Sequence, residues 1–312
     1  MSWLITLAVV ILLYLILERK TSRPDGHLVT RLHPYRRIMP FIMRGRNESV
    51  VYYDIFVPAD NLVSYLKRVQ ERFHADVTHV LVAGLSVTLT QNPKMNRFVV
   101  GRRLYERDGI DMTFSMKRKK LDKTSKIGVV KLRIDQSETF QGFCERVNSR
   151  ISVERTDTKT YVDRELSILE ILPRPILNLG VYLLKTLDYY NLLPRSFIEG
   201  DGMYTSAFIA NLGSLGMPAG YHHLYEWGTS SLFIVGGKID DQPVVENGQV
   251  MVQNTLHLRV AYDERMDDGL TARQGIETYK TVLSDPERFF GCLEDGETPL
   301  PFKPLERSLE SR

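Results

Sequence analysis

The sequence predicts mixed α/β layers around a largely mixed sheet, and three observations carry that prediction. Residues 77–90 form an almost wholly apolar helix, stopped by Asn92-Pro93, that must be covered on most sides. Residues 110–118 alternate Ile110, Met112, Phe114 and Met116 against polar partners, the period of a half-buried strand. Helices and long strands are interspersed without the regular strand–helix alternation of a doubly wound fold.

The elements follow in order. Residues 3–17 carry no charge, Pro or Gly, and with Met1 and Ser2 the uncharged run is 17 residues, at the short edge of a bilayer span. No basic residues precede it and no small-residue cleavage site follows. It therefore reads as one uncleaved N-terminal transmembrane helix (residues 1–17), with a signal peptide or a buried core helix as alternatives. Residues 18–46 hold eight basic and two acidic side chains. Basic flanks favour the cytoplasmic side, so a single-pass protein with a cytoplasmic body is expected. This segment either touches anionic headgroups or only sets topology. Residues 18–29 read as a basic linker, 30–294 as the main domain, and the Pro- and charge-rich 295–312 as a loose tail.

Within the domain, Asp60 is placed to cap a helix with Leu62, Tyr65, Leu66, Val69 and Phe73 on one face. Strands fit 97–106, 110–118, 127–134, 203–211, 229–237 and 250–262, and helices fit 138–152 and 271–283. Residues 161–193 read as helical with interruptions at Pro173 and Pro175, built for core or subunit packing or for a membrane surface.

Composition excludes several classes. With 43% apolar and 25% charged residues among 312, the chain is neither disordered nor a polytopic membrane protein. Cys144 and Cys292 are too few for a disulfide framework or a cysteine-ligated zinc site, and no metal is expected. The net charge of +3 hides a division: residues 1–17 carry no side-chain charge, residues 18–46 contribute +6 and the 266 residues 47–312 contribute −3. No basic patch is interleaved with aromatics, so nucleic acid is not an expected partner.

One segment is more informative than the rest: Leu256-His257-Leu258-Arg259-Val260-Ala261-Tyr262-Asp263-Glu264-Arg265-Met266-Asp267-Asp268-Gly269. It resembles the active-site strand and helix of the dihydrolipoamide acyltransferases, the catalytic domains of 2-oxoacid dehydrogenase complexes, whose signature Asp-His-Arg-x-x-Asp-Gly is shared more loosely with chloramphenicol acetyltransferase. Tyr35-Arg36-Arg37-Ile38-Met39-Pro40, Asn92-Pro93-Lys94-Met95-Asn96-Arg97, Phe208-Ile209-Ala210-Asn211-Leu212-Gly213 and Ser231-Leu232-Phe233-Ile234-Val235-Gly236 are similar to further pieces of that domain, in the same order. The resemblance covers about residues 30–290. It implies a chloramphenicol acetyltransferase-like mixed sheet packed with helices, a homotrimer, and coenzyme A or acyl-CoA as ligand. Only about 30 residues separate the apolar head from the domain, so no lipoyl domain is expected.

Two departures from the family pattern carry functional weight. The signature His, which takes the proton from a thiol, is replaced by Glu264, and the Ser that hydrogen-bonds the oxyanion is matched by Ala210, beside Asn211. A carboxylate near 4.3 is a much weaker base towards a thiol near 8.5 than imidazole near 6.5. Burial raises a carboxyl, so basicity alone does not exclude catalysis. The ionised form, however, places negative charge where thiolate and oxyanion develop. The expectation is loss of the family's acyl transfer and a role in binding or scaffolding. The alternative is an active CoA-dependent acyltransferase using Glu264 or a nearby His as base.

The resemblance further implies that Asp268 pairs with an Arg and that Gly269 lets the strand turn into the helix, with Arg265 retained beside them. His222 and His223 are secondary candidates, more commonly hydrogen-bonding loop residues, and His79 reads as a satisfied core histidine. Lys117, Arg118 and Lys119 form a basic rim able to meet CoA phosphates, or a solvated strand end.

Overall fold

The computed structural model describes residues 2–117, 127–155 and 172–291. In chain order the elements are α1 (Ser2–Arg19), β1 (Gly26–Leu28), α2 (Pro34–Ile42), β2 (Val50–Pro58), α3 (Asp60–Gln70), α4 (Val77–Gln91), β3 (Arg97–Val100), β4 (Arg103–Arg107), β5 (Asp111–Lys117) and β6 (Ile127–Arg133). They continue with α5 (Phe140–Arg155), α6 (Arg174–Tyr189), α7 (Arg195–Gly200), β7 (Ala207–Asn211), β8 (Leu232–Glu246), β9 (Gln249–Asp263), α8 (Gly269–Ser284) and α9 (Pro286–Phe290).

The main sheet has the order β2-β9-β8-β7-β5-β6, and β1-β4-β3 form a small second sheet. β7 runs parallel to both β5 and β8, whereas β9 is antiparallel to β8 and β2. The sheet is thus mixed, as the irregular alternation of elements predicts.

One face of the sheet carries the main core. Leu256, Leu258, Val260, Leu232, Ile234, Ile209 and Phe114 pack there against α3, α4 and α8. α4 is buried from His79 to Leu89, which explains its apolar composition all round. Tyr279 of α8 lies against it and donates from its hydroxyl to the Leu81 carbonyl at 3.0 Å. On the opposite face Phe208, Phe233, Val235 and Ala261 are covered by the 219–224 loop.

Several expectations are corrected. The strand expected over 97–106 is a hairpin, broken where Gly101 and Arg102 both take left-handed φ values of 56° and 58°. β8 runs on past the expected end at 237 to Glu246, where Asn247-Gly248, with φ of 51° and 79°, turns it into β9, which matches the strand expected over 250–262. Asp60 opens α3 without a side-chain capping bond. The 18–29 segment is no free linker: β1 pairs with β4, and Arg23, buried among Asp25, Asp188 and Asn191, ties it to the end of α6.

Among the described residues no helix is long and apolar enough to cross a membrane. The fifteen uncharged residues 3–17 rise about 22 Å at 1.5 Å each, short of a hydrocarbon layer of about 30 Å. The expected transmembrane helix is therefore unsupported. α1 is nonetheless exposed along its length, from Trp3 to Ile16. Its foot is held by the body, where Arg103 donates to Glu18 and Asn191 Nδ2 donates to the Lys20 carbonyl at 2.9 Å.

Candidate active site

Glu264 sits immediately after β9. Its backbone N–H donates to the Ser49 carbonyl at 3.0 Å, and its own carbonyl accepts from Arg36 Nη1 at 3.0 Å. The half-buried side chain forms no ion pair among the described residues. Burial, and then the Glu264 carboxylate, push the Tyr53 phenol pKa up, which places that carboxylate near Tyr53.

The residues on either side of Glu264 do structural work. Asp263 is fully buried and accepts a two-pronged bond from Arg265, Nε to Oδ1 at 2.9 Å and Nη2 to Oδ2 at 2.7 Å. Ser49 Oγ adds a third bond to Oδ1 at 3.0 Å, while Arg265 Nη1 reaches the Met43 and Arg44 carbonyls at 3.2 and 3.1 Å. Arg265 thus staples the 43–49 segment to the end of β9.

This arrangement corrects the roles implied for Asp268 and Gly269. Asp263 takes the arginine, and Asp268 instead caps α8, its Oδ1 accepting from Thr271 N at 3.1 Å. A Cβ added at Gly269 would meet open space, so no steric demand fixes glycine there.

Ala210 and Asn211 lie at the other end of the sheet, on the wall of a cavity of about 560 Å³, a size typical of small-molecule sites. Its floor is apolar, with Val82, Phe114, Phe143 and Val147, and its polar groups include Asp76, Thr78, His79, Ser115 and Ser214. Asn211 is fixed on both sides: Nδ2 donates to Thr78 Oγ1 at 3.0 Å and Oδ1 accepts from Ser214 N at 3.1 Å. Ser115 of β5 is the register partner of Ala210, which brings a hydroxyl beside the position that lacks one.

His79 is buried with both ring nitrogens engaged, Nδ1 to Asp76 Oδ1 at 2.8 Å and Nε2 to Asn148 Oδ1 at 3.2 Å, a satisfied core histidine as expected. Burial pushes the Asp76 carboxyl up, but bonds from His79 and Thr78 outweigh it and hold it at about 2.

The two halves of the candidate site do not meet within one chain. Ala207, Leu232 and Tyr262 share a row of the sheet, so Glu264 lies beyond that row on one side and Ala210 beyond it on the other. Five residue steps along the strands and two strand spacings across separate them, on the order of 20 Å.

His222 and His223 are not brought to the cavity. His222 stacks on Phe233 at 3.8 Å with Nδ1 against the His223 carbonyl, and burial lowers its pKa. Nδ1 of His223 meets the Leu224 carbonyl at 3.0 Å. Lys117 ends β5, and Arg118 and Lys119 lie outside the described residues, as do 156–171, Cys292 and the tail. Cys144 is buried, and burial pushes its thiol pKa far up. Among the described residues no group of His, Cys, Asp or Glu could hold a metal ion. Ser115 escapes a sequence reading because it occupies an ordinary polar position in an alternating strand. Asp76 and His79 form a capping box at the start of α4 that departs from the usual Ser/Thr-x-x-Glu/Gln signature and was not read from the sequence.

Residues 201–291 match the model of the 2-oxoacid dehydrogenases acyltransferase catalytic domain. The likeness of that segment is to an acyltransferase catalytic domain, and it covers less than a third of the chain. It spans β7, β8, β9 and α8, and so holds both Ala210 and Glu264. The dihydrolipoyllysine-residue succinyltransferase component of a 2-oxoglutarate dehydrogenase complex from Cupriavidus necator is 42% identical over 48 residues, 15% of this chain and 12% of that protein. The chain therefore matches only a small part of that relative's length. Three solved structures extend the likeness of fold across the domain. A probable dihydrolipoamide acetyltransferase from Listeria monocytogenes has a TM-score of 0.53 at 12% identity, covering 88% of this chain and 99% of that one. The cubic core of the pyruvate dehydrogenase multienzyme complex gives 0.54 at 14%, covering 83% and 93%. The truncated catalytic core of a 2-oxoacid dehydrogenase complex from Thermoplasma acidophilum gives 0.50 at 16%, covering 83% and 98%. At these identities the acyltransferase likeness in structure is one of fold alone.

Proposed function

We propose that this acyltransferase-fold chain has lost the family's thiol-activating base and acts by binding or scaffolding, with CoA or acyl-CoA in the cavity beside Ala210. The observation that carries the reading is that the wall position lacks a hydroxyl while the residue at the family's His position is a carboxylate. Neither is equipped to stabilise a thiolate or an oxyanion. The separation of about 20 Å between Glu264 and Ala210 supports an assembly in which one copy's Glu264 meets the next copy's cavity, and the family fold favours a homotrimer. The exposed apolar α1 with its basic foot supports attachment to a lipid surface, with the body on the cytoplasmic side.

One observation favours a second reading, an active CoA-dependent acyltransferase on another acceptor. Ser115 offers a hydroxyl next to Ala210, and Glu264 of a neighbouring copy would then act as base.

Isothermal titration with acetyl-CoA and longer acyl-CoAs, followed by turnover assays, separates the two. The first reading expects binding without turnover, and a gain of activity when Glu264→His is combined with Ala210→Ser. Turnover in the unmodified protein that Glu264→Gln abolishes would overturn it.

A further inference from the structure

A second cavity, of about 500 Å³, lies at the foot of α1 and is lined by Glu18, Arg36, Arg37, Phe41, Arg102 and Arg103 among others. Four guanidinium groups face one carboxylate there. Glu18 is already committed to Arg103, whose Nη2 donates to its Oε2 at 2.9 Å. Arg36 gives Nη1 to the Glu264 carbonyl, a bond that neutralises no charge. Arg102 stands over the Phe41 ring at 5.4 Å. Among the described residues Arg36, Arg37 and Arg102 form no ion pair. Among the described residues Arg103 Nη1 is buried without a hydrogen bond of regular geometry, its guanidinium lying near the Tyr105 hydroxyl.

A protein gathers like charges and leaves a buried donor poorly bonded at a cost in free energy, unless something answers them. An anion with several oxygens answers both, and guanidinium forks match a phosphate ester best. Two features select its source. The apolar α1 leaves from the rim of this cavity, and Ile38, Phe41 and Ile42 of α2 stand exposed beside it. A phosphate carrying acyl chains would place its head in the cavity and its tails along these surfaces.

We infer that the cavity at the foot of α1 binds the phosphate of an anionic lipid headgroup. This site is separate from the cavity beside Ala210, so its failure would leave the CoA reading untouched.

The test is co-flotation of the full chain with vesicles of phosphatidylcholine, alone or mixed with phosphatidylglycerol. Arg37→Gln with Arg102→Asn removes two cavity charges, and Asn tolerates the left-handed φ at position 102. Preferential partition to phosphatidylglycerol should fall about fivefold per charge, about thirtyfold for the pair. Arg31→Gln with Arg44→Gln removes two basic residues outside the cavity and should cost clearly less. Equal losses for the two pairs would overturn the site in favour of diffuse surface charge. Release from phosphatidylglycerol vesicles by millimolar CoA would overturn the lipid as the source of the phosphate. An unmodified protein that shows no preference between the two vesicles would overturn the inference outright.

Discussion

Arg265→Ala tests whether the two-pronged bond to Asp263 holds the end of β9. The substitution leaves a fully buried carboxylate with only Ser49 Oγ and the Arg265 backbone N–H as donors, and frees the Met43 and Arg44 carbonyls. Removing one partner of a buried ion pair costs about 3–5 kcal/mol, because the surviving charge stays buried. For a domain of this size each kcal/mol lowers Tm by about 2–4 °C, so a loss of about 10 °C or more is expected. Arg265→Lys keeps the charge but loses the planar fork, and should fall in between, at about 2 kcal/mol. Urea unfolding followed by Trp227 fluorescence reads the effect, since Trp227 is anchored by its indole N–H to Asp201 at 2.6 Å. A loss below about 1 kcal/mol for the Ala variant would refute the reasoning, since no buried charge would then have been stranded.

Three further outcomes are expected. With the Asp76 carboxyl at about 2 when folded and near 3.9 when unfolded, its stabilisation is present above pH 4 and lost as pH falls towards 2. Asp76→Asn keeps a cap without titrating there, so the wild-type advantage in urea midpoint should shrink between pH 5 and pH 2; Asp76→Ala should cost about 1 kcal/mol at neutral pH. In a Cys292→Ser background, Cys144 should resist a thiol reagent until the protein unfolds, because burial holds its thiol protonated; rapid labelling in the native state would contradict this. If Glu264→His with Ala210→Ser gains activity, mixing the two single variants should recover about one quarter of it, the share of correctly ordered interfaces in a random trimer. No recovery on mixing would place the site within one chain.

Much of the fold was legible because its signals are local. α4 announced itself by an apolar run ending at Asn92-Pro93, and β5 by strict alternation from Ile110 to Met116. The hairpin of β3 and β4 was not, since Arg102 in a left-handed turn carries no turn signature of its own. The outer half of β8 was missed for the opposite reason: its exposed, charge-bearing end, with Asp240, Asp241 and Pro243, looks like loop until its pairing with β9 is known. At the candidate site, Glu264 and Ala210 could be singled out from the motif. Which acid takes the arginine was not, because Asp263 and Asp268 are equivalent in sequence and differ only in whether the strand turns them inward. The membrane reading of α1 rested on composition, and length decided against a span.

The fork between Asp263 and Arg265 also bears on how such a protein changes over time. Structural duty falls on the residues flanking position 264, while the side chain between them carries none of it. Exchange at that one position should therefore disturb folding little, since among the described residues no hydrogen bond or ion pair depends on its side chain. A lineage can vary position 264 without passing through an unstable intermediate, whatever the exchange does to the chemistry.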